Sequence, residues 1–244
     1  AYWQKKENQQ HYGRFAEAVD FQDQICEAGL APKRIVTPEY QSVLNYAYHF
    51  DAKKVADLIK EKAIELGVKH LVDKVIDVHL DNSGYIETLV CEKNGLVEGD
   101  LFIDCSGFAA ILIDKTLKIP FISAKKHLFN DFAIATQIPY DEGENIACHT
   151  IATAQTAGWT WDIGLSSRKG MGYVYSSDHT SHEDAIKTFA EHIGPKAEGL
   201  NFRKIPFTSG YREKFWHKNC LAIGLSAGFL EPLEASALIL VDNS

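Results

Sequence analysis

The residues best suited to binding a ligand or taking part in chemistry lie near the end of the chain. There an apolar run leads through glycines towards a segment with the pattern of a helix. Residues 220–225 have the length of a buried strand, and Gly224 and Gly228 flank the turn that follows. A residue without a Cβ atom lets a flat ligand or another backbone segment come close. Pro232 suits a first helical position, and the positive end of a helix favours an anion or a carboxylate such as Glu234. The pattern alone leaves two readings open: a tight strand–helix connection, or a site for an anionic or electron-rich ligand.

Composition and charge exclude several classes of protein. The 244 residues are 45% hydrophobic and 24% charged, which is ordinary for a folded protein of one large or two small domains. The formal net charge of -8 argues against a nucleic-acid binder and against a polybasic membrane module. We find no apolar run of about 18 residues that could span a membrane, and no secretory signal opens the chain.

The cysteines and histidines do not form a convincing metal or disulfide pattern. The five cysteines are far apart and lie mostly in apolar runs, which predicts reduced, buried thiols in a cytoplasmic protein. His179 and His182 are three residues apart in a Ser/Thr/Asp-rich segment, which favours a loop or helix start over a metal site. We therefore predict no metal ligands. Asp162 lies between aromatic residues and could be a buried acid, but the pattern favours the outward position of an alternating strand.

Two helices are well defined by their spacing. Residues 51–66 carry one apolar stripe, with Asp51 as N-cap and Gly67 as the residue that ends the helix. Residues 182–193 form a second predicted helix, and the aromatic residues 40–48 are also predicted as helix. Residues 1–34 favour helical turns, but their apolar residues show no strong period.

A strand series follows the first long helix. Residues 68–72, 75–80, 85–92 and 96–99 are predicted strands of an antiparallel meander, with a strong turn signal at 81–84. Residues 101–105 form an apolar strand of the type usually buried on both faces, as in a parallel sheet, and Gly107 lies in the turn after it.

The middle of the chain is predicted to form a separate antiparallel sheet. Predicted strands at 132–138, 147–153, 158–165 and 172–176 belong to a larger antiparallel sheet. The chain then returns to the apolar strand at 220–225. Because ligands of open α/β sheets bind beyond the carboxyl ends of the strands, we expect the turns around Gly107 and Gly224 to lie at one binding edge.

Five segments, taken together and in this order, resemble the flavin-dependent tryptophan halogenases; they are residues 46–52, 100–108, 158–165, 172–177 and 222–236. Each segment alone is a weak signal, but the five in this order, including the Trp-x-Trp-x-Ile stretch that begins at Trp159, are specific. The resemblance covers most of the chain from about residue 40. It implies a mixed α/β fold like that of the FAD monooxygenases: part of a dinucleotide-binding sheet with a β-meander, and an inserted antiparallel substrate-side sheet.

The resemblance also implies an activity. Reduced FAD, dioxygen and chloride or bromide would give hypohalous acid, which halogenates tryptophan, indole or a related aromatic compound. A partner flavin reductase would supply reduced FAD, and the reading is compatible with a homodimer that binds neither nucleic acid nor membrane. Two alternatives stay open: an FAD-dependent monooxygenase or hydroxylase of the same fold that uses no halide, and a non-catalytic flavin-binding fragment.

Matching residue by residue gives the candidate site. Glu234 matches the catalytic glutamate of the family, although a first-turn glutamate also complements the helix dipole. Trp159 and Trp161 match the pair that separates flavin from substrate, although residues two apart on a strand also share a core face. The resemblance places halide-binding backbone at Ser236 and Ala237. It places the flavin-side turns at Gly107 and at Gly224, Ser226, Ala227, Gly228, Phe229 and Pro232.

Departures from the family pattern qualify the resemblance. Gly164 stands where proline usually ends the Trp-x-Trp-x-Ile stretch, Ala109-Ala110 stands where Arg-Gly is common, and Ala235 replaces a serine. No Gly-x-Gly-x-x-Gly occurs in the sequence, and no lysine matches the catalytic lysine of the family. We therefore expect a piece of a longer protein that by itself binds FAD weakly and is inactive.

The same resemblance predicts a domain organisation. Residues 1–40 would be a helical segment of the substrate side, and residues 41–108 part of the FAD-binding domain. Residues 109–214 would form the antiparallel substrate-side sheet, and residues 215–244 would return to the FAD-binding domain.

Overall fold

The computed structural model describes residues 5, 15, 20–41 and 44–231. The chain divides into two compact units. The first takes its described residues from the ranges 1–60, 135–173 and 189–203, and the second takes its described residues from 61–134, 174–188 and 204–231. Among the described residues, none of the helices has the length and apolar character needed to cross a membrane.

The helices follow the local signals of the sequence. They are α1 Gln22–Glu27, α2 Ala52–Glu65, a π-helix Ile111–Thr116 and α3 His182–Ile193. Short 3-10 helices are formed by Gly107–Ala109, Gly194–Ala197 and Gly224–Ser226. Asp51 caps α2, because its Oδ1 atom accepts hydrogen bonds from the backbone N–H groups of Lys53 (3.2 Å) and Lys54 (3.4 Å). Gly67 follows α2 with a φ of 92°, as its predicted place after the helix end requires. The predictions of α2 and α3 are confirmed.

Fourteen strands lie within the described residues, and they form four sheets with the orders β1-β2-β3, β10-β6-β9-β8-β7, β14-β11-β5 and β12-β13-β4. The strands are β1 Val75–Leu80, β2 Ile86–Cys91, β3 Gly95–Glu98, β4 Phe102–Asp104, β5 Phe121–Ser123, β6 Phe132–Ile138, β7 Ile151–Gln155, β8 Gly158–Gly164, β9 Lys169–Tyr175, β10 Arg203–Pro206, β11 Gly210–Arg212, β12 Trp216–His217, β13 Cys220–Ala222 and β14 Gly228–Phe229.

The antiparallel meander is confirmed in the second unit. β1 pairs with β2 and β2 with β3, both antiparallel. The Oδ1 atom of Asp81 accepts hydrogen bonds from the backbone N–H groups of Ser83 and Tyr85, both at 2.8 Å, and thereby closes the predicted turn. Register shifts within β1 interrupt the simple two-face alternation that the sequence predicts for this strand.

The core of the second unit lies beneath β4 and β13. These two strands pair in parallel, with Phe102 opposite Cys220 and Asp104 opposite Ala222. Phe102 and Asp104 are buried, whereas the Ile103 side chain between them is 52% exposed. The parallel pairing is confirmed, but the prediction that residues 101–105 are buried on both faces is wrong for the described residues. The core comprises Ile86, Phe102, Ala110, Leu112, Ile113, Ile119, Cys220 and Ala222.

Two predicted elements are wrong. The described residues of 40–48 form no helix; instead the ring of Tyr46 meets that of Tyr48 edge-to-face at 5.6 Å, and the rings of Tyr48 and Phe50 stack at 5.9 Å. Aromatic residues at alternate positions can meet along extended backbone, whereas helical spacing would separate them. Residues 68–72 are not a strand, and the strand predicted at 147–153 begins only at Ile151.

Candidate functional site

Two turns leave the same edge of the β4–β13 pair. Because the strands are parallel and Asp104 lies opposite Ala222, the chain exits both strands at their adjacent carboxyl ends. Gly107 follows β4 with a φ of 66°, and Gly224 follows β13 with a φ of 67°. Both values lie in the left-handed region that glycine adopts without strain. The structure therefore brings together the two turns that the sequence assigns to one binding edge.

Asp104 fastens both turns, although the sequence analysis did not select it. Its buried carboxylate accepts hydrogen bonds from the backbone N–H and hydroxyl of Ser106 (3.0 and 2.6 Å) and from the backbone N–H groups of Leu112 and Ile113 (both 2.9 Å). Its carbonyl oxygen accepts a hydrogen bond from the hydroxyl of Ser226 in the other turn. An aspartate that ends an apolar strand two residues before a serine is the signal that could have revealed this role.

Arg212 holds the second turn from the other side. Its Nε atom donates to the carbonyl oxygen of Ser226 (3.2 Å), and its Nη2 atom forms an ion pair with Asp114 (3.0 Å). The side chain is buried, and its guanidinium lies over the ring of Phe121 at 5.1 Å. The carboxylate that Arg212 binds is therefore that of Asp114, which follows the first turn.

Aromatic rings join the two turns. The ring of Phe229 meets the half-exposed ring of Phe108 edge-to-face at 5.7 Å, and it meets Phe207 in the same manner at 5.1 Å. Gly228 serves the strand pairing, because a Cβ atom there would lie 2.7 Å from the carbonyl oxygen of Gly210. At Gly228 the close approach predicted from the sequence is therefore that of another backbone segment.

The predicted flavin-side residues thus have different surroundings. Ser226 is buried and Ala227 is half-buried, and the carbonyl oxygen of Ala227 accepts a hydrogen bond from the backbone N–H of Arg212 (2.7 Å). Pro232, Glu234, Ser236 and Ala237 lie outside the described residues. The predictions for those four residues stay predictions.

The tryptophan pair lies on β8 in the first unit. The rings of Trp159 and Trp161 are half-buried, with centroids 6.1 Å apart and planes inclined by 56°. Their partners on the antiparallel strand β7 are Ala154 and Ala152, whose small side chains leave room on this face. The predicted shared face is confirmed.

Gly172 on β9 makes room for Trp161. A Cβ atom at position 172 would overlap ring atoms of Trp161, whereas a Cβ atom at Gly170 on the same strand would meet nothing within 4 Å. We expect Gly172→Ala to lower the free energy of unfolding by about 1–3 kcal/mol, as overpacking does, and to shift the tryptophan fluorescence. Denaturant unfolding of the full-length protein checks this, with Gly170→Ala as the matched control. Equal stability of the two variants would contradict the assigned contact.

The opposite face of β8 is a polar, buried surface. The hydroxyl of Thr160, which is fully buried, lies 3.2 Å from Nε2 of His192, and Gln155 lies 3.4 Å from Nδ1 of the same ring. Asp162 shares this face and is half-buried, and burial raises the pKa of its carboxyl group. Asp162 therefore lies between the two readings of the sequence, a buried acid and an outward position, because α3 contributes His192 to this region.

Packing explains why glycine suits position 164. A Cβ atom there would lie 2.9 Å from Cγ2 of Ile146 and 3.1 Å from the hydroxyl oxygen of Tyr140. The carbonyl oxygen of Gly164 accepts a hydrogen bond from Nδ1 of His49 (2.9 Å), whose Nε2 atom lies 3.2 Å from the hydroxyl of Thr150. The departure from the usual proline thus fits the neighbours of this residue.

A cluster of charges fixes the loop after β6. The Glu144 carboxylate forms ion pairs with Lys169 and Lys196, and it accepts a hydrogen bond from the backbone N–H of Asp141 (2.9 Å). Lys169, this N–H group and Lys196 together lower the pKa of Glu144 from its ordinary value of 4.5 to about 2.

Acid titration should reveal the Glu144 cluster. Because the folded-state pKa is lowered, the stability that the carboxylate contributes is fully present above about pH 4.5 and is lost as the pH falls towards 2. We expect Glu144→Gln to flatten the fall in the free energy of unfolding over this window. Urea unfolding at a series of acid pH values measures it, with the exposed neighbour Glu142→Gln as control. An unchanged acid slope would count against the cluster.

The cysteines are only partly as predicted. Cys91 and Cys220 are buried, whereas Cys105 and Cys148 are exposed, and none is in a disulfide. Burial, followed by the charge of Asp104, raises the pKa of Cys220 to about 11. His182 contacts the hydroxyl of Tyr175 through Nδ1 at 2.8 Å. Within the described residues no group of three or more His, Cys, Asp or Glu residues is arranged to hold a metal ion.

The fold and the edge with two glycine turns define an α/β protein that carries a large antiparallel sheet. The model of the tryptophan halogenase family matches residues 1–244. The chain belongs to this family.

Solved and curated relatives agree with that assignment. The crystal structure of a tryptophan halogenase from Shewanella frigidimarina is 46% identical with a TM-score of 0.89, and the match covers 99% of this chain and 46% of that one. A 7-chloro-L-tryptophan 6-halogenase from a Kutzneria species is 39% identical, and the match covers 90% of this chain and 47% of that protein. A tryptophan 7-halogenase from Lentzea aerocolonigenes is 39% identical over 94% of this chain and 44% of its own length. The chain therefore spans less than half the length of these relatives. The structural match confirms the predicted mixed α/β fold.

Proposed function

We propose that the protein to which this chain belongs is an FAD-dependent halogenase that acts on tryptophan, indole or a related electron-rich aromatic compound. The main support is that β4 and β13 pair in parallel and that both glycine turns follow them at the same edge of the sheet. The chain that carries these turns belongs to the tryptophan halogenase family. In that reaction dioxygen would be the oxidant: reduced FAD would supply two electrons and two protons, one oxygen atom would leave as water, and the other would convert chloride or bromide into hypohalous acid.

The residues of this edge suit a flavin. Gly107 and Gly224 expose backbone without a Cβ atom, and the half-exposed ring of Phe108 offers an aromatic surface beside them. Asp104 and Arg212 hold both turns through buried hydrogen bonds, so the edge is preorganised. The proposal also keeps the domain organisation that the resemblance implies, with residues 41–108 and 215–244 in the FAD-binding domain and residues 1–40 and 109–214 on the substrate side.

Three groups have proposed roles in the reaction. Glu234 orients the halogenating species or accepts the proton that leaves the aromatic ring. The backbone N–H groups of Ser236 and Ala237 bind the halide, as N–H groups at a helix start suit an anion. Trp159 and Trp161 separate flavin from substrate, so that the ring is halogenated rather than oxygenated.

The proposal includes a partner and a location. A flavin reductase delivers reduced FAD, and the protein can work as a homodimer in the cytoplasm. The support is the family membership together with the unpaired state of the cysteines.

One turnover experiment tests the proposed function. The full-length protein is incubated with FAD, a flavin reductase, NADH, indole and bromide, and the products are identified by mass spectrometry. We expect brominated indole, and none when bromide is left out. Oxygenated indole without any brominated product would support the monooxygenase alternative instead, and flavin binding without either product would support the non-catalytic one.

A further inference from the structure

We propose that Cys26 and Cys148 are a redox-sensitive pair of thiols, which a peroxide converts into a disulfide. Although the two residues are far apart in the sequence, a hydrogen bond joins their thiol groups in the first unit of the fold. A disulfide brings its two sulfur atoms to about 2 Å, so thiols that are already in contact need only a short approach. The inference goes beyond the proposed function and does not depend on it.

Cys26 lies in the last turn of helix α1. Its carbonyl oxygen accepts a hydrogen bond from the backbone N–H of Gly29 (3.0 Å), where the chain leaves the helix. The side chain is half-buried, and burial, followed by the charges of Cys148 and Asp23, raises the pKa of its thiol. Because the thiolate is the reactive form, Cys26 is the slower thiol of the pair.

Cys148 is the thiol that meets the oxidant first. Its side chain is exposed, and its Sγ atom lies 3.6 Å from Nδ1 of His149. A neutral imidazole with an unprotonated Nδ1 atom can accept the proton of this thiol. The exposed sulfur of Cys148 is therefore open to a peroxide and has a base beside it.

The segment that carries Cys148 is packed against the end of β8. A Cβ atom at Gly164 would lie 3.1 Å from the carbonyl oxygen of Ala147, the residue before Cys148. On the other side of Cys148, the hydroxyl of Thr150 lies 3.2 Å from Nε2 of His49. The backbone on both sides of Cys148 is thus held by contacts with distant segments.

The proposed reaction is a two-electron oxidation of the two thiols by hydrogen peroxide. The sulfur of Cys148 attacks one peroxide oxygen, the O–O bond breaks, and a sulfenic acid forms while the other oxygen leaves as water with the thiol proton. The sulfur of Cys26 then attacks the sulfenic sulfur, the S–O bond breaks, and a second water leaves as the S–S bond forms. A dithiol reductant reverses the change, as for the transient disulfides of reducing compartments.

The disulfide would tie α1 to the segment that leads into β7. Strand β7 pairs with β8, where Ala152 lies opposite Trp161 and Ala154 lies opposite Trp159. Oxidation therefore fixes the chain next to the strand that carries the tryptophan pair. Because a cross-link between distant positions restricts the unfolded chain, the oxidised protein should unfold at a higher temperature than the reduced protein.

The experiment is disulfide mapping of the full-length protein after treatment with hydrogen peroxide, without FAD, halide or indole. The protein is first reduced and freed of reductant, and after oxidation it is alkylated, digested and measured by mass spectrometry without reduction. We expect the peptides of Cys26 and Cys148 to be joined, and dithiothreitol to separate them.

Serine variants assign the role of each thiol. Cys148→Ser should abolish the link, and Cys26→Ser should leave a sulfenic acid at Cys148, which dimedone traps. His149→Ala should slow the formation of the link. Cys105→Ser is the matched control, because it replaces another exposed cysteine, and it should form the link as the wild type does.

The wild-type map decides the inference even if a variant fails to fold. Oxidation of Cys148 without a link to Cys26, or a link of either residue to a different cysteine, would overturn it. A rate of link formation that His149→Ala leaves unchanged would overturn the role given to this imidazole. Failure of the halogenase proposal is distinguishable, because it would show in the turnover experiment and not in the peroxide map.

Discussion

Replacing Glu234 with glutamine in the full-length protein should lower the halogenation rate about 100-fold or more, while the oxidation of reduced flavin continues at its normal rate. The expected size follows from general acid–base catalysis, which contributes roughly 10²- to 10⁴-fold. Glutamine keeps the size and shape of the side chain and one acceptor oxygen, but it can neither accept the ring proton nor carry the negative charge. Product formation and flavin reoxidation are measured in parallel on the same samples.

A glutamate outside the proposed site provides the control for Glu234→Gln. Glu213 is exposed, and its backbone N–H bonds to the carbonyl oxygen of Pro120, so Glu213→Gln removes a charge without disturbing a fixed side chain. We expect this variant to halogenate normally. Loss of FAD binding in Glu234→Gln, together with loss of halogenation, would instead support the simpler reading of Glu234 as a residue that complements the helix dipole.

The second large effect is expected on stability. Asp104→Ala should lower the free energy of unfolding by about 3–5 kcal/mol, because it leaves the buried N–H groups of Leu112 and Ile113 without their acceptor and creates a small void. A buried donor that loses its partner costs about 1–3 kcal/mol, and two such donors are exposed here to an apolar core. Urea denaturation of the full-length protein measures the change.

A nearby exposed carboxylate separates this effect from a general loss of charge. Asp100 lies four positions earlier, is exposed, and should tolerate replacement by alanine within about 0.5 kcal/mol. Asp104→Asn retains one oxygen acceptor and should fall between the two. A stability of Asp104→Ala equal to that of Asp100→Ala would show that the hydrogen bonds of Asp104 do not hold the turns together.

Predictions from sequence succeeded where the cause is local. Helix α2 is defined by Asp51, its apolar stripe and Gly67, and the meander by alternation and by the turn at Asp81. These signals act over a few residues, so a single sequence contains all of them. The helix predicted at 40–48 failed because aromatic and apolar composition was read without a period, whereas in the structure aromatic residues at alternate positions contact one another outside any helix.

The sequence by itself determined the glycine turn at 220–228, its family and the residues that match it. Only the tertiary structure decided what those residues do locally. It pairs β13 with β4, although the antiparallel strands lie between them in the sequence. It packs Gly228 against the backbone of Gly210 and brings the hydroxyl of Ser226 to the carbonyl oxygen of Asp104. The contacts of Arg212 with Ser226 and of Asn130 with Glu231 likewise join distant segments. Such bonds depend on which strands become neighbours, and that choice is made by burial of the whole core rather than by the spacing of any one motif.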